Sequence, residues 1–257
     1  MGQFDTETDA ALTQLNYEAL SEVPGGEFVE IIGDLLKLIG TGGLWGLTGG
    51  ISNLALKVRK LAGASYASNL IYAITAVRND LATLYERYDN LHERIEALPT
   101  NPKFAEAISA LALRAMHTSV KDRLKRLARI VVNGVKEDDL EPENLDDMMR
   151  AAAELKESDI VLLGKIYKSQ NGMLDRVRRN ANSLHGGIQS VWQGFMSSVG
   201  LNPAKQLTYR SSLSRLQSHG LIQLITAGNF CVGDEPYLLL EEGKKFYERL
   251  QEIAVQQ

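Results

Sequence analysis

Four histidines and a single cysteine are the side chains of this 257-residue chain best suited to metal or nucleophilic chemistry. Their spacing argues against both. His92, His117, His185 and His219 are scattered, with no H-x-x-x-H or H-x-x-E-H pair that would turn two imidazoles toward one ion. Cys231 has no general base at a recognisable spacing, and a thiol without one reads as a half-buried structural side chain. No G-x-S-x-G elbow and no Cys-x-x-Cys occurs. The glycines of 40–50 form no phosphate loop, because the Lys-Ser/Thr ending and a preceding strand are both missing. The expectation is a non-enzyme with no metal, no cofactor and no small-molecule substrate, unless distant residues assemble a site.

Binding chemistry has better candidates. Thr208, Arg210, Ser211, Ser214, Arg215 and Ser218 point outward from the segment LTYRSSLSRLQSHGLI, with Lys205 and His219 at its ends. Arginine pairs bidentately with guanine and serine reaches bases or phosphates. On DNA, Arg210 and Arg215 would read bases and Lys205 would meet phosphate. The hairpin tip beyond carries Asp234 and Glu235 and no basic residue, which suits a protein partner or a structural role instead. The most basic stretch is Arg114, Lys121, Arg123, Lys125, Arg126, Arg129 and Lys136 against Asp122. Such a run can track phosphates. It can equally match the acidic stretch Glu137, Asp138, Asp139, Glu141, Glu143, Asp146 and Asp147, within one chain or across a dimer. Arg176, Arg178 and Arg179 form a smaller cluster of the same kind. Gly42, Gly46 and Gly50 recur every fourth residue around Trp45, a small-residue face that permits helix or membrane contact. The acidic residues Glu27, Glu30 and Asp34 on the preceding helix oppose an anionic lipid surface, and internal packing is the competing role.

The elements that position these residues are mostly helices. Pro24-Gly25-Gly26 ends a polar arm, and Phe28, Ile31, Ile32, Leu35, Leu36 and Ile39 then trace one apolar helical stripe. Ala67, Leu70, Ile74, Val77, Leu81, Leu84, Tyr88, Leu91, Ile95 and Leu98 alternate three and four residues apart up to Pro99. That is a heptad seam, and it requires an apolar partner, either a second copy of the chain or the helices that follow. Further helices are predicted at 103–117 and from Ser119, the latter capped by Thr118 or Ser119 and closed by Asn133-Gly134. Another begins at Pro142. From about 157 the order is SDIVLLGKIYKSQ, capped by Ser158 or Asp159, then GIQSVWQGFMSSVGL, then the 207–218 segment with Leu213 and Leu216 inward and Gly220 at its end. LIQLIT, a Gly/Asn-rich tip, YLLL and the helix EEGKKFYERLQEI complete the chain. Helix, helix, helix, strand, wing, strand, helix is the winged-helix order.

Composition is that of an ordinary globular protein, 44% hydrophobic and 23% charged, and the net charge of −4 provides no global pull toward polyanions. One cysteine excludes an internal disulfide and suits a reducing compartment. The acidic N-terminus lacks the features of a signal peptide, and no window approaches the roughly 18 apolar residues of a membrane span, so a cytoplasmic location is expected. Three regions are expected: a polar arm at 1–26, a helical part with the long heptad helix at 27–156, and a winged helix-turn-helix with a small β-hairpin at 157–257.

TSVKDRLKRLARIVVNG, ENLDDMMRAAAELKESDIVLLGKIY, SVGL, SSLSRLQSHGLI and YLLLEEGKKFYERL occur in that order. In this the chain resembles the bacterial abortive-infection alpha family, a group linked to phage exclusion, over about residues 104–250. It departs from the pattern at Leu240-Glu241-Glu242-Gly243, where such modules commonly have Leu-Thr-x-x-Gly, and in a long spacer at 170–188. The resemblance implies an architecture and a setting in phage defence, and no activity. Three roles follow as expectations: a dimeric winged-helix protein engaging DNA or a protein partner, an effector touching membrane or a phage component through 27–50, and a plain assembly scaffold.

Overall fold

A computed structural model describes Asp34, residues 64–118, 120–170, 193–194, 203–224 and 237–251, with backbone alone over 64–65 and 203–208. Apart from the helical Asp34, the polar arm, the stripe at 28–39 and the face formed by Gly42, Trp45, Gly46 and Gly50 lie outside the described residues. So do His185, the cluster Arg176, Arg178 and Arg179, and the hairpin tip with Cys231. The described chain is mainly helical with one two-stranded antiparallel sheet, and divides into two compact units, one ending at Ala153 and the other covering Glu154–Gln251.

The first unit contains α1 (Ala64–Arg87), α2 (His92–Ala97), α3 (Pro102–Met116), α4 (Lys121–Glu137) and α5 (Pro142–Glu154), with single 3-10 turns on either side of α2. Leu70, Ile74, Val77, Leu81, Leu84, Leu91 and Ile95 are all buried, and α1 packs on α3 and α4. Of the two partners the pattern leaves open, the helices that follow cover the heptad seam within the chain. The helix is also shorter than the periodicity implies. It breaks at Tyr88, which is extended (φ −132°, ψ 91°), ahead of the turn-forming Asp89-Asn90. His92 then satisfies a carbonyl freed by the break: its Nε2 lies 2.6 Å from the Tyr85 oxygen and its ring stacks on Tyr85 at 3.9 Å.

Helix α4 is the centre of this unit. Leu124, Leu127, Ala128, Ile130, Val131, Val132 and Val135 bury most of its circumference. Asn133-Gly134 does not close it, contrary to expectation. The helix runs on to Glu137 and ends where Asp138 turns left-handed (φ 60°), with the Asp139 N–H bonded to the Gly134 oxygen at 2.9 Å. Gly134 has a different duty: a Cβ there would stand 2.9 Å from Leu140 Cδ2 and 3.0 Å from the Asp139 oxygen. Thr118 also differs from expectation, since its hydroxyl bonds back to the Arg114 oxygen at 2.8 Å and Val120 occupies the N-cap without a side-chain bond. Asn101 does cap α3, accepting from the Phe104 N–H, and Pro142 opens α5 as predicted.

The second unit contains α6 (Glu157–Gln170), α7 (Pro203–Ser218), β1 (Ile222–Leu224), β2 (Tyr237–Leu239) and α8 (Glu241–Leu250); Gln193 and Gly194 are also helical. Helix α6 touches α7, α8 and β2, so Leu162, Leu163 and Ile166 form the floor on which Leu213, Leu216, Phe246 and Leu250 settle. Leu213 and Leu216 face inward as expected. Gly220 (φ 67°) ends α7 with the Leu221 N–H on the Leu216 oxygen and its own N–H on Gln217, a Schellman closure that only glycine enters without strain. The chain turns directly into β1, which pairs with β2 in the register Ile222↔Leu239, Gln223↔Leu238, Leu224↔Tyr237. Gly243 lets α8 start against this corner, because a Cβ would collide with the Leu221 carbonyl.

Candidate functional site

Among the described side chains of α7, Arg210, Ser211, Ser214, Gln217 and Ser218 are exposed, while Ser212, Leu213 and Leu216 are buried. At 100° per residue these sets fall on opposite sides, so the exposed residues form one polar face. Lys205 and Thr208 belong to the same helix by backbone; their side chains lie outside the described residues. His219, just past the helix, lies 3.3 Å from Glu154.

Arg215 departs from its expected role. Its Nε and Nη2 donate to Asp159 at 2.8 and 2.7 Å, a two-pronged bond across α6 and α7, and Nη2 also reaches the Ser212 hydroxyl at 3.3 Å. The Asp159 side chain is fully buried, whereas that of Arg215 keeps 34% of its surface. Burial raises the Asp159 pKa, but hydrogen bonds from Arg215, Ser212 and the Lys156 N–H outweigh it and hold the carboxyl below its ordinary value. The same pairing raises Arg215. Asp159 is therefore not the N-cap of α6. It stands in the first turn of α6, reaches back to the Lys156 N–H at 2.9 Å, and fixes where α7 sits. An arginine so engaged is a positioning residue for the face, and Arg210 is the exposed arginine that remains on it.

Gln170, unmarked in the sequence, has the matching duty at the hairpin. It is 2% exposed, its amide donates to the Tyr237 oxygen at 2.8 Å and its carbonyl accepts from the Leu239 N–H at 2.9 Å. Tyr167 and Tyr247 pack at 4.8 Å between α6 and α8 over Gly164, where a Cβ would stand 2.6 Å from the Tyr247 hydroxyl oxygen. Burial and a bond to Glu248 push the Tyr167 phenol up to about 12.

The basic candidates of the first unit separate. Lys121 and Lys125 are exposed, Arg123 and Arg129 are half-buried, and Arg126 is 6% exposed with Nη1 directed at the Ala152 oxygen. Arg126 thus leaves the expected surface patch, since its position on α4 faces the core. Four acids of the acidic stretch form ion pairs: Asp138 with Arg94 of α2, Glu141 with Lys103 and Asp146 with Arg114 of α3, the last at 2.8 Å, and Asp147 with Arg150 within α5 at 2.7 Å. A charge match within the chain is real, and Arg114 of the basic stretch takes part in it; Arg94, Lys103 and Arg150 supply the other cations. Asp146 and Asp147 of these pairs also border an open groove of about 600 Å³ between α3 and α5, with Glu106, Ala107 and Leu145.

His117 meets the edge of Tyr66 at 5.8 Å, and burial lowers its pKa. Among the described residues, no three His, Cys, Asp or Glu side chains gather as a metal site, and no helix is long and apolar enough to cross a membrane. Compared with family models, curated proteins and solved structures, the chain finds no match.

Proposed function

We propose that this chain is a non-catalytic, cytoplasmic winged-helix protein of a phage-defence system, and that its second unit docks on duplex DNA through the exposed face of α7. The observation that carries the reading is the polar face of Arg210, Ser211, Ser214, Gln217 and Ser218, set on a helix that leads straight into the β-hairpin. Helices in this order enter the major groove with such a face. Arg210 pairs with a base or phosphate and the serines with phosphate oxygens. Asp159–Arg215 and Gln170 keep helix and hairpin at fixed angles from α6. The phage-defence setting comes from the sequence resemblance alone.

With one exposed arginine, binding is modest and non-specific in strength, on the order of 10⁻⁴ to 10⁻⁶ M at physiological salt. Fluorescence anisotropy of a labelled duplex, titrated across salt concentrations with wild type and Arg210→Ala, tests it. The reading expects a salt-dependent affinity and a shallower salt slope in the variant. Binding without a salt slope, or none, removes it and leaves the second reading, a protein partner on the same face. The engagement of Arg215 by Asp159 favours that alternative, because it makes the face nearly neutral.

A further inference from the structure

The solvent-facing side of α4 is a narrow line. Lys121, Lys125 and Lys136 are exposed along it and Arg129 is half-buried between them, while the rest of the helix is mostly enclosed. At 100° per residue these four positions fall within about a quarter of a turn, and at 1.5 Å per residue they span about 22 Å. Asp122 and Glu137 stand at the two ends. Asp138, Glu141, Asp146 and Asp147 of the following stretch pair with Arg94, Lys103, Arg114 and Arg150. Two tyrosines frame the line: Lys121 Nζ lies 5.9 Å from the ring centre of Tyr72, and Lys136 Nζ lies 5.5 Å from that of Tyr88. Tyr72 lies on α1 and Tyr88 just past its end, so the two contacts follow the same order along both segments and set an aromatic ring at each end of the basic line.

We infer that this line of lysines, bracketed by Tyr72 and Tyr88, is a docking surface for single-stranded nucleic acid. A single row of cations matches a linear polyanion, whereas an anionic membrane presents a plane and calls for apolar side chains beside the charges. Single-strand binding combines a basic track along the backbone with aromatic rings on which bases stack, which is the composition found here. The span suits a strand of about four to six nucleotides. This surface is independent of the α7 face, and loss of one leaves the other intact.

The test is anisotropy of a labelled oligothymidylate with the full chain, across salt. The triple variant Lys121→Gln, Lys125→Gln, Lys136→Gln is expected to bind at least tenfold more weakly, with the salt slope reduced by about 2, as three lost phosphate contacts require. Arg210→Ala is expected to leave both quantities unchanged, which separates this surface from α7. Tyr72→Phe is expected to bind as wild type and Tyr72→Leu several-fold more weakly, with unchanged thermal unfolding showing that each variant is folded. Equal affinity and slope in the triple variant, preference for duplex over single strand, or binding to phosphatidylglycerol vesicles but not to the oligonucleotide would each overturn the inference.

Discussion

Helices α4 and α7 both carry the cations that make a helix look like a phosphate-binding surface, yet their surroundings treat those cations in opposite ways. In α7 a buried carboxylate from α6 draws Arg215 out of the candidate face. Beside α4, Asp138, Glu141 and Asp146 pair with α2 and α3, and Lys121, Lys125 and Lys136 are exposed while Arg126 packs inward. Whether a basic residue is available to a partner is thus decided by what the fold places opposite it. Arg215 lies 56 residues from its partner, whereas the acidic stretch begins at Glu137, only 16 residues after Lys121 and 12 after Lys125, and Asp138, Glu141, Asp146 and Asp147 pair with other cations.

The comparison can be broken first at the seam. Leu81 and Leu84 are both fully buried in the first unit. The double variant Leu81→Asp, Leu84→Asp is expected to lose roughly 5 kcal/mol or more and to abolish cooperative melting of that unit by circular dichroism. A variant that stays folded with halved mass in light scattering would return the seam to an interface between copies.

Asp159→Ala should follow in size, on the order of 3 kcal/mol in urea unfolding, because it strands a partly buried guanidinium and frees α7. The pH dependence has a definite sign. With the folded carboxyl below its unfolded value of about 3.9, the contribution of Asp159 is complete above that pH and is lost as the pH falls through the lowered folded pKa. Arg215→Ala with an unchanged acid limb would contradict the pairing. Gln170→Leu is smaller, about 1–2 kcal/mol, and should speed hydrogen exchange at the Leu239 amide more than elsewhere in the unit.

Adjacent residues of α4 sharpen the comparison further. Lys125→Gln should stay within about 0.5 kcal/mol, while Arg126→Gln should cost more than about 1 kcal/mol in the same thermal assay. The least effect concerns His117, whose folded pKa is lowered by burial. Below about pH 6.5 the unfolded chain takes up the proton first, so stability declines as the pH falls through that window, and His117→Phe should flatten it.

Much of this architecture was legible because it rests on local pattern. The three-and-four spacing from Leu70 to Leu84, the inward Leu213 and Leu216, the Gly220 stop and the two short strands depend on neighbours a few residues away. What was not legible depends on distant ones. The partner of the seam could not be chosen without knowing that α3 and α4 fold back on α1. Asn133-Gly134 resembles a helix end, yet Leu140 approaches there and demands the missing Cβ. Arg215 looked free because nothing in the primary structure ties it to Asp159. Gln170 gave no signal at all, since glutamine at the end of a helix is ordinarily solvated.

That glutamine also bears on how the hairpin avoids other chains. A two-stranded sheet leaves its outer rim of N–H and C=O groups open, a template onto which a stray strand can add and from which aggregates grow. Here one side-chain amide offers the donor and the acceptor that a third strand would offer, and occupies the Tyr237 and Leu239 groups. On the β2 side the rim is plugged by a helix end, so a stray strand finds the Tyr237 oxygen and the Leu239 N–H already taken.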